Sequence, residues 1–303
     1  MHEDGTTGLC DEVRRSSAAN AEAARSVRID AAGLERAVER WRAEGLAGRP
    51  QALDPERHYL EGSRGEVAAY LLTLDAINFG SGWFPTIRKR PGCSGYYTVA
   101  WGLADRFRAE GPWPPSELRE MSGEAIARVL GQDPEHELME LYGEALRQLG
   151  RFLGDRTVLD VIHAADRSAE ALASTLREMP FFDDIGFWKR AQITANDLAL
   201  AGIASFEDLD RLTIFADNLV PHVLRVDGVL VYARELADRI DAEQPLPLGG
   251  AEREIRACAV QACELIAERL GVAPRVLDVS LWERGQQPHY KSRPRHRTRT
   301  VYY

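Results

Sequence analysis

Three carboxylates and one lysine stand out by their surroundings. Asp197 follows Lys189 by eight positions in a stretch of helical spacing, KRAQITANDLAL. Their side chains would lie near one face of a helix, roughly 12 Å apart, a span that can serve two ends of one ligand. Ordinary helix propensity gives no reason for an Asp there. Asp217 stands in Phe215-Ala216-Asp217-Asn218-Leu219-Val220-Pro221, just before a helix with Pro in its first turn, where a plain N-cap role and a functional one are both open. Asp75 lies within an apolar helical run, and a buried acid must be paired or have a raised pKa. Lysine is rare, three residues (Lys89, Lys189, Lys291) against 35 arginines, which hints at specific tasks for those kept. Aromatic residues gather in the Gly-rich turn Asn78-Phe79-Gly80-Ser81-Gly82-Trp83-Phe84, and Phe182 and Trp188 lead into the Lys189 helix. An aromatic floor with exposed backbone suits a flat heterocycle, and the same turn could simply cap the core.

Other chemistries find no support. There is no Ser-His-Asp set, no HExxH and no His-rich metal spacing, and the seven histidines are scattered apart from His289 and His296. Cys10, Cys93, Cys258 and Cys263 form no CxxC pair, so they are expected to be buried thiols, with neither disulfides nor structural zinc. No Gly-rich loop follows a strand, which disfavours Rossmann and P-loop folds. No metal or cofactor is expected. Neither a membrane span nor the apolar core of a signal peptide is visible, so a soluble cytoplasmic protein is the expectation. A net charge of −9 counts against wrapping a nucleic-acid backbone. Residues 284–303 nevertheless carry six basic groups and no acid, leaving 32 basic against 47 acidic groups elsewhere. That stretch is either a local anion site or a solvated tail, and Val301, Tyr302 and Tyr303 favour docking.

These residues need elements to hold them. Apolar spacing of three and four runs through 138–153 and recurs in 31–44, 122–130, 167–178, 206–212 and 232–240. The richer runs 66–79 and 254–270 should be the central buried helices. Asp30 and Ser122 are start signals. Strand candidates are short, Phe84–Arg88 and Tyr97–Val99, with no regular alternation that would build a parallel sheet. After the Asp217-capped helix come a tight Asp227-Gly228 turn and a second helix from about Tyr232, a layout loosely like helix-hairpin-helix DNA glycosylases. The reading is a mainly α chain: residues 1–14 as a flexible N-terminus, then one helical domain over 15–303 with a few short strands.

The combined motifs resemble the queuosine salvage proteins, the queuosine 5′-phosphate N-glycosylase/hydrolases. They are Ile77-Asn78-Phe79 with Trp83, Ser94-Gly95-Tyr96, Lys189 to Ile193 with Asp197, Phe215-Ala216-Asp217 with Pro221 and Leu224, Gly228 with Tyr232, Glu254-Ile255-Arg256 with Glu264, Leu281-Trp282, and His296-Arg297 to Tyr302-Tyr303. The turn is richer in Gly, and the tail in Arg, than the family pattern leads one to expect. The resemblance implies a helical, DNA-glycosylase-like fold. It also implies hydrolysis of the N-glycosidic bond of queuosine 5′-monophosphate to release queuine for tRNA.

For that reaction Asp197 is the carboxylate that would oppose charge on the ribose. Asp217, with Asp75 or Glu264 as substitutes, would accept the N–H edge of the base. Asn78, Phe79, Trp83, Phe182 and Trp188 would surround the base. Lys189, Lys291 and Arg297, helped by His289 and Tyr232, would hold the phosphate. A monomer acting on a free nucleotide, with no membrane and no stable nucleic-acid complex, is expected. Two alternatives are a nucleic-acid base glycosylase acting on a flipped base and a non-catalytic queuine- or tRNA-binding protein.

Overall fold

The computed structural model describes residues 8–46 and 51–303, and the chain is mainly helical. In chain order the helices are α1 (Leu9–Ala23), α2 (Ala31–Ala43), α3 (Arg64–Ala76), α4 (Gly95–Glu110), α5 (Pro115–Arg119), α6 (Gly123–Leu130), α7 (Glu137–Leu153), α8 (Val158–Ala164), α9 (Ala169–Leu176), α10 (Lys189–Leu200), α11 (Leu219–Val226), α12 (Arg234–Asp241), α13 (Ala251–Leu270), α14 (Pro274–Gly285) and α15 (Pro288–Lys291). Strands β1 (Val27–Ile29) and β2 (Leu230–Tyr232) form a two-stranded antiparallel sheet in which Arg28 faces Val231. None of the described helices is long and apolar enough to cross a membrane.

The chain forms two compact units. The first takes the described residues up to Gln51, then Ile185–Lys189 and Asp210–Thr298; the second takes Ala52–Asp184, Arg190–Leu209 and Arg299–Tyr303. In the first unit α13 is the central helix, packed against α1, α2, α11, α14 and β1. Its Ile255, Ala257, Ala259, Ala262, Cys263 and Ile266 are fully buried, as an apolar surface covered on several sides requires. In the second unit α7 packs against α3, α5 and α6, and α3 also meets α4 and α8. Every residue of α3 from Tyr70 to Ala76 is buried. Its start is fixed by a capping box, in which Ser63 Oγ accepts from the Glu66 amide and the Glu66 carboxylate accepts from the Ser63 amide.

Several sequence expectations are corrected. Phe84–Arg88 is turn, because Gly80 starts a tight fold in which Trp83 and Phe84 both donate to its carbonyl. Tyr97–Val99 lies inside α4, whose start Ser94 fixes by accepting from the Tyr97 amide. The helix expected over 206–212 is only a 3₁₀ turn at Leu209–Arg211. There Asp208 is drawn away to the start of α9, accepting from Ser168 Oγ and the Ala169 and Glu170 amides. The helix expected to run to 79 ends at Ala76, so Asn78 and Phe79 leave it. Tyr232 closes β2, and α12 begins two residues later. Cys93 is partly exposed, whereas Cys10, Cys258 and Cys263 are buried. Helix α1 starts at Leu9, inside the stretch expected to be flexible, because Leu9, Cys10 and Val13 are buried on it and α1 packs on α13; residues 1–7 lie outside the described residues.

Candidate functional site

The second unit gathers Asp75, Asp197, Tyr70 and Tyr96. Asp197 is 5% exposed on α10, with the Asn196 amide 3.4 Å from its Oδ1. Asp75, on the last turn of α3, is completely buried, with Asn78 Nδ2 3.4 Å from its Oδ1. Burial, then the charge of Asp197, hold the Tyr96 phenol well above its usual value. His58 Nδ1 lies 2.8 Å from the Asp54 carbonyl, which can only accept, so the ring proton sits there. Burial keeps the imidazole neutral by lowering its pKa, and its Nε2 accepts from the Tyr96 hydroxyl at 3.0 Å. Two buried acids beside oriented phenols make a place where positive charge is favoured.

Arg190 anchors this unit. Its guanidinium is 1% exposed and donates to the carbonyls of Ala76 (2.6 Å), Asp75 (3.3 Å), Val301 (2.7 Å) and Phe181. It also lies over the rings of Phe79 (4.9 Å) and Phe182 (4.6 Å). One side chain thus ties the end of α3, the turn before α10 and residues 299–303. Gly80 reinforces this by donating to the Tyr303 carbonyl at 3.1 Å.

The first unit gathers Asp217, Asp278, Lys189 and Arg295. Asp217 Oδ1 accepts from the amides of Leu219 (2.8 Å) and Val220 (3.0 Å), so it caps α11 as an acid before a helix should. Asp278, on α14, accepts from the Phe215 amide at 2.8 Å. Burial, then the neighbouring Asp217, push the Asp278 carboxyl up to about 8, against the opposing pull of the Phe215 amide and Lys189. At pH 7 Asp278 is therefore a neutral carboxylic acid beside Asp217. Lys189, the first residue of α10, is 6% exposed. Trp188 before it is buried with φ at +44°, a left-handed conformation that strains a bulky side chain. Arg256 is buried over the Phe187 ring at 4.0 Å and donates to the Ala216 carbonyl at 2.9 Å.

The residues expected from sequence fall into both units. Asn78, Phe79, Trp83, Phe182 and Asp197 belong to the second; Trp188, Lys189, Asp217, Tyr232, Glu264, His289, Lys291 and Arg297 belong to the first. Phe79 and Phe182 are enclosed around Arg190, Phe79 with its edge to Tyr142 at 5.0 Å. Trp83 Nε1 donates to Glu137 at 2.7 Å. Glu264 is ion-paired with Arg14 of α1 at 3.0 Å. His289 and Lys291 are exposed, Arg297 is half-buried, and Tyr232 lies beneath the Arg225 guanidinium. Asp278 was not singled out by sequence, and Arg190 and Arg256 entered only within family motifs, without a role of their own. Asp278 alone carried a signal, an acid between Leu277 and Val279. Among the described residues no three His, Cys, Asp or Glu side chains are grouped to share a metal ion.

Comparison with known proteins agrees with the sequence resemblance. The family model for queuosine salvage proteins matches residues 58–303. The chain is 34% identical to the queuosine 5′-phosphate N-glycosylase/hydrolase of Sphaerobacter thermophilus, over 86% of this chain and 90% of that protein. It is 29% identical to the Mus musculus protein of the same name, over 96% and 98%, and 28% identical to that of Dictyostelium discoideum, over 78% of each. With the family model matched over residues 58–303 and a relative 34% identical over most of both chains, the chain belongs to the queuosine salvage protein family.

Proposed function

We propose that the chain hydrolyses the N-glycosidic bond of queuosine 5′-monophosphate, releasing queuine. Membership of a family whose relatives carry that activity in their names carries this reading, and the buried acids supply the chemistry it needs. Cleavage builds positive charge on the ribose, and a carboxylate held out of water opposes it more strongly than one in water. Asp197 takes that role, supported by its burial and by the carboxylate and phenols grouped with it. Queuine is a 7-deazaguanine, so the leaving base lacks the ring nitrogen at which guanine is protonated and departs through protonation at another position or through hydrogen bonds that absorb its charge. Asp217 accepts from the amino and imino edge of the base through oxygen capacity left after capping α11.

Asn78, Phe79, Trp83, Phe182 and Trp188 frame the base, and Asp75 or Glu264 could stand in for Asp217. Lys189, Lys291 and Arg297, with His289 and Tyr232, provide cationic and hydroxyl donors for the phosphate. The enzyme works in the cytoplasm as a monomer on a free nucleotide, without a stable nucleic-acid complex; its net charge of −9 supports the last point. The test is to incubate the protein with queuosine 5′-monophosphate, queuosine and guanosine monophosphate and to separate free base by chromatography. Queuine from the first substrate is expected. No base from any of them overturns the reading.

A further inference from the structure

The turn that carries Asp217 is pinned at three successive residues. Phe215 donates its amide to Asp278 at 2.8 Å, Ala216 gives its carbonyl to Arg256 at 2.9 Å, and Asp217 itself binds two α11 amides. Arg256 is in turn held beside the buried Glu252, 3.6 Å away on the same helix. Asp278 occupies a costly place for an acid, on α14 between residues whose inward neighbours Leu277 and Leu281 are fully buried. An apolar side chain would pack there without that cost, and it would leave the Phe215 amide without this acceptor. We propose that Asp278 is a positioning residue for Asp217, fixing the Phe215–Asp217 turn through the Phe215 amide. Its importance for turnover rests on the glycosidase reading above.

The charged and titratable groups facing Asp278 are Asp217 ahead of α11, Lys189 at the start of α10 and Cys263 on α13. Near pH 7 the Asp278 acid holds its proton. When it ionises, its negative charge stands beside Asp217, while the Phe215 amide, whose hydrogen bond favours the ionised form, keeps its acceptor.

Asp278→Asn keeps an acceptor for the Phe215 amide and replaces the acid's O–H with an N–H, whereas Asp278→Ala removes the clamp. At pH 7 we expect the queuine affinity of Asp278→Asn within about threefold of the parent and that of Asp278→Ala weaker by about tenfold or more, with kcat less affected in both. The parent's queuine affinity should change with pH through about 8 and that of Asp278→Asn should not. Hydrogen exchange over residues 213–218 should be faster in Asp278→Ala than in the parent or Asp278→Asn. If the parent releases no queuine, the functional reading fails while exchange still decides the clamp. Equal exchange in all three proteins overturns the proposal. So does a folded Asp278→Ala with parental queuine affinity, or an Asp278→Asn as impaired as Ala. If Asp278→Ala fails to fold, identical pH profiles of the parent and Asp278→Asn overturn it as well.

Discussion

On the proposed reading an aspartate on α10 and another ahead of α11 would divide the work, and their isosteric amides separate the two roles. Asp197→Asn keeps shape and removes charge, so kcat should fall by about a hundredfold or more with substrate affinity nearly intact. Asp217→Asn should weaken queuine affinity, because an amide cannot accept both hydrogen bonds from the base edge. Steady-state kinetics and queuine titration of both variants check this; the opposite pattern would exchange the roles. Arg190→Met should lower stability by about 3–5 kcal/mol in urea unfolding, because it strips a buried cation from Asp184 and Asp75 and a donor from four carbonyls. The acids Asp75 and Asp197 were visible in sequence because an Asp is unexpected within a helical run. Arg190 and Arg256 were visible only as members of motifs and not as buried anchors, since nothing distinguishes a buried guanidinium among 35 arginines. Asp278 is marked by the same pattern as Asp75, an acid among apolar neighbours in a helix.

The long amphipathic helices were legible because burial on one side imposes a period: α7 buries Leu138, Tyr142, Ala145, Leu146, Leu149 and Leu153. The strands were not. Three residues give no alternation to read, and β1 finds its partner about 200 positions away. Tyr97–Val99 imitates a strand with aromatic and β-branched residues, yet the Ser94 cap settles it as helix. The contact of α2 with the Asp227-Gly228 turn was equally invisible. A Cβ on Gly33 would stand 1.9 Å from the Gly228 carbonyl oxygen, so Gly33→Ala must push the turn away. Its expected effect is a loss of about 1–3 kcal/mol or more, measured by the urea midpoint. A variant with unchanged stability would show that α2 and the turn part freely.

At the scale of the whole molecule, three buried groups of the first unit shape stability against pH. Burial lowers His222 to about 4 and His296 to about 3, so below 6.5 the unfolded chain takes up protons that the folded one refuses, and stability falls with falling pH. Asp278 works the other way: its folded acid keeps a proton up to about 8, so its stabilising effect is complete below 3.8 and is lost as pH rises towards 8. Two groups against one below 6.5, and one alone above, place the contribution of these groups at its greatest near pH 6.5. Urea midpoints between pH 4.5 and 8.5 should trace that maximum, and Asp278→Asn should flatten the decline above it. The order of the chain has its own consequence during synthesis. Helix α1 packs on α13, which begins 228 positions after α1 ends, so at cellular rates roughly 10–50 s separate the making of the two. The greater part of the second unit, residues 52–184, leaves the ribosome in that interval. The Leu9, Cys10 and Val13 face of α1 therefore stays uncovered by α13 throughout that interval.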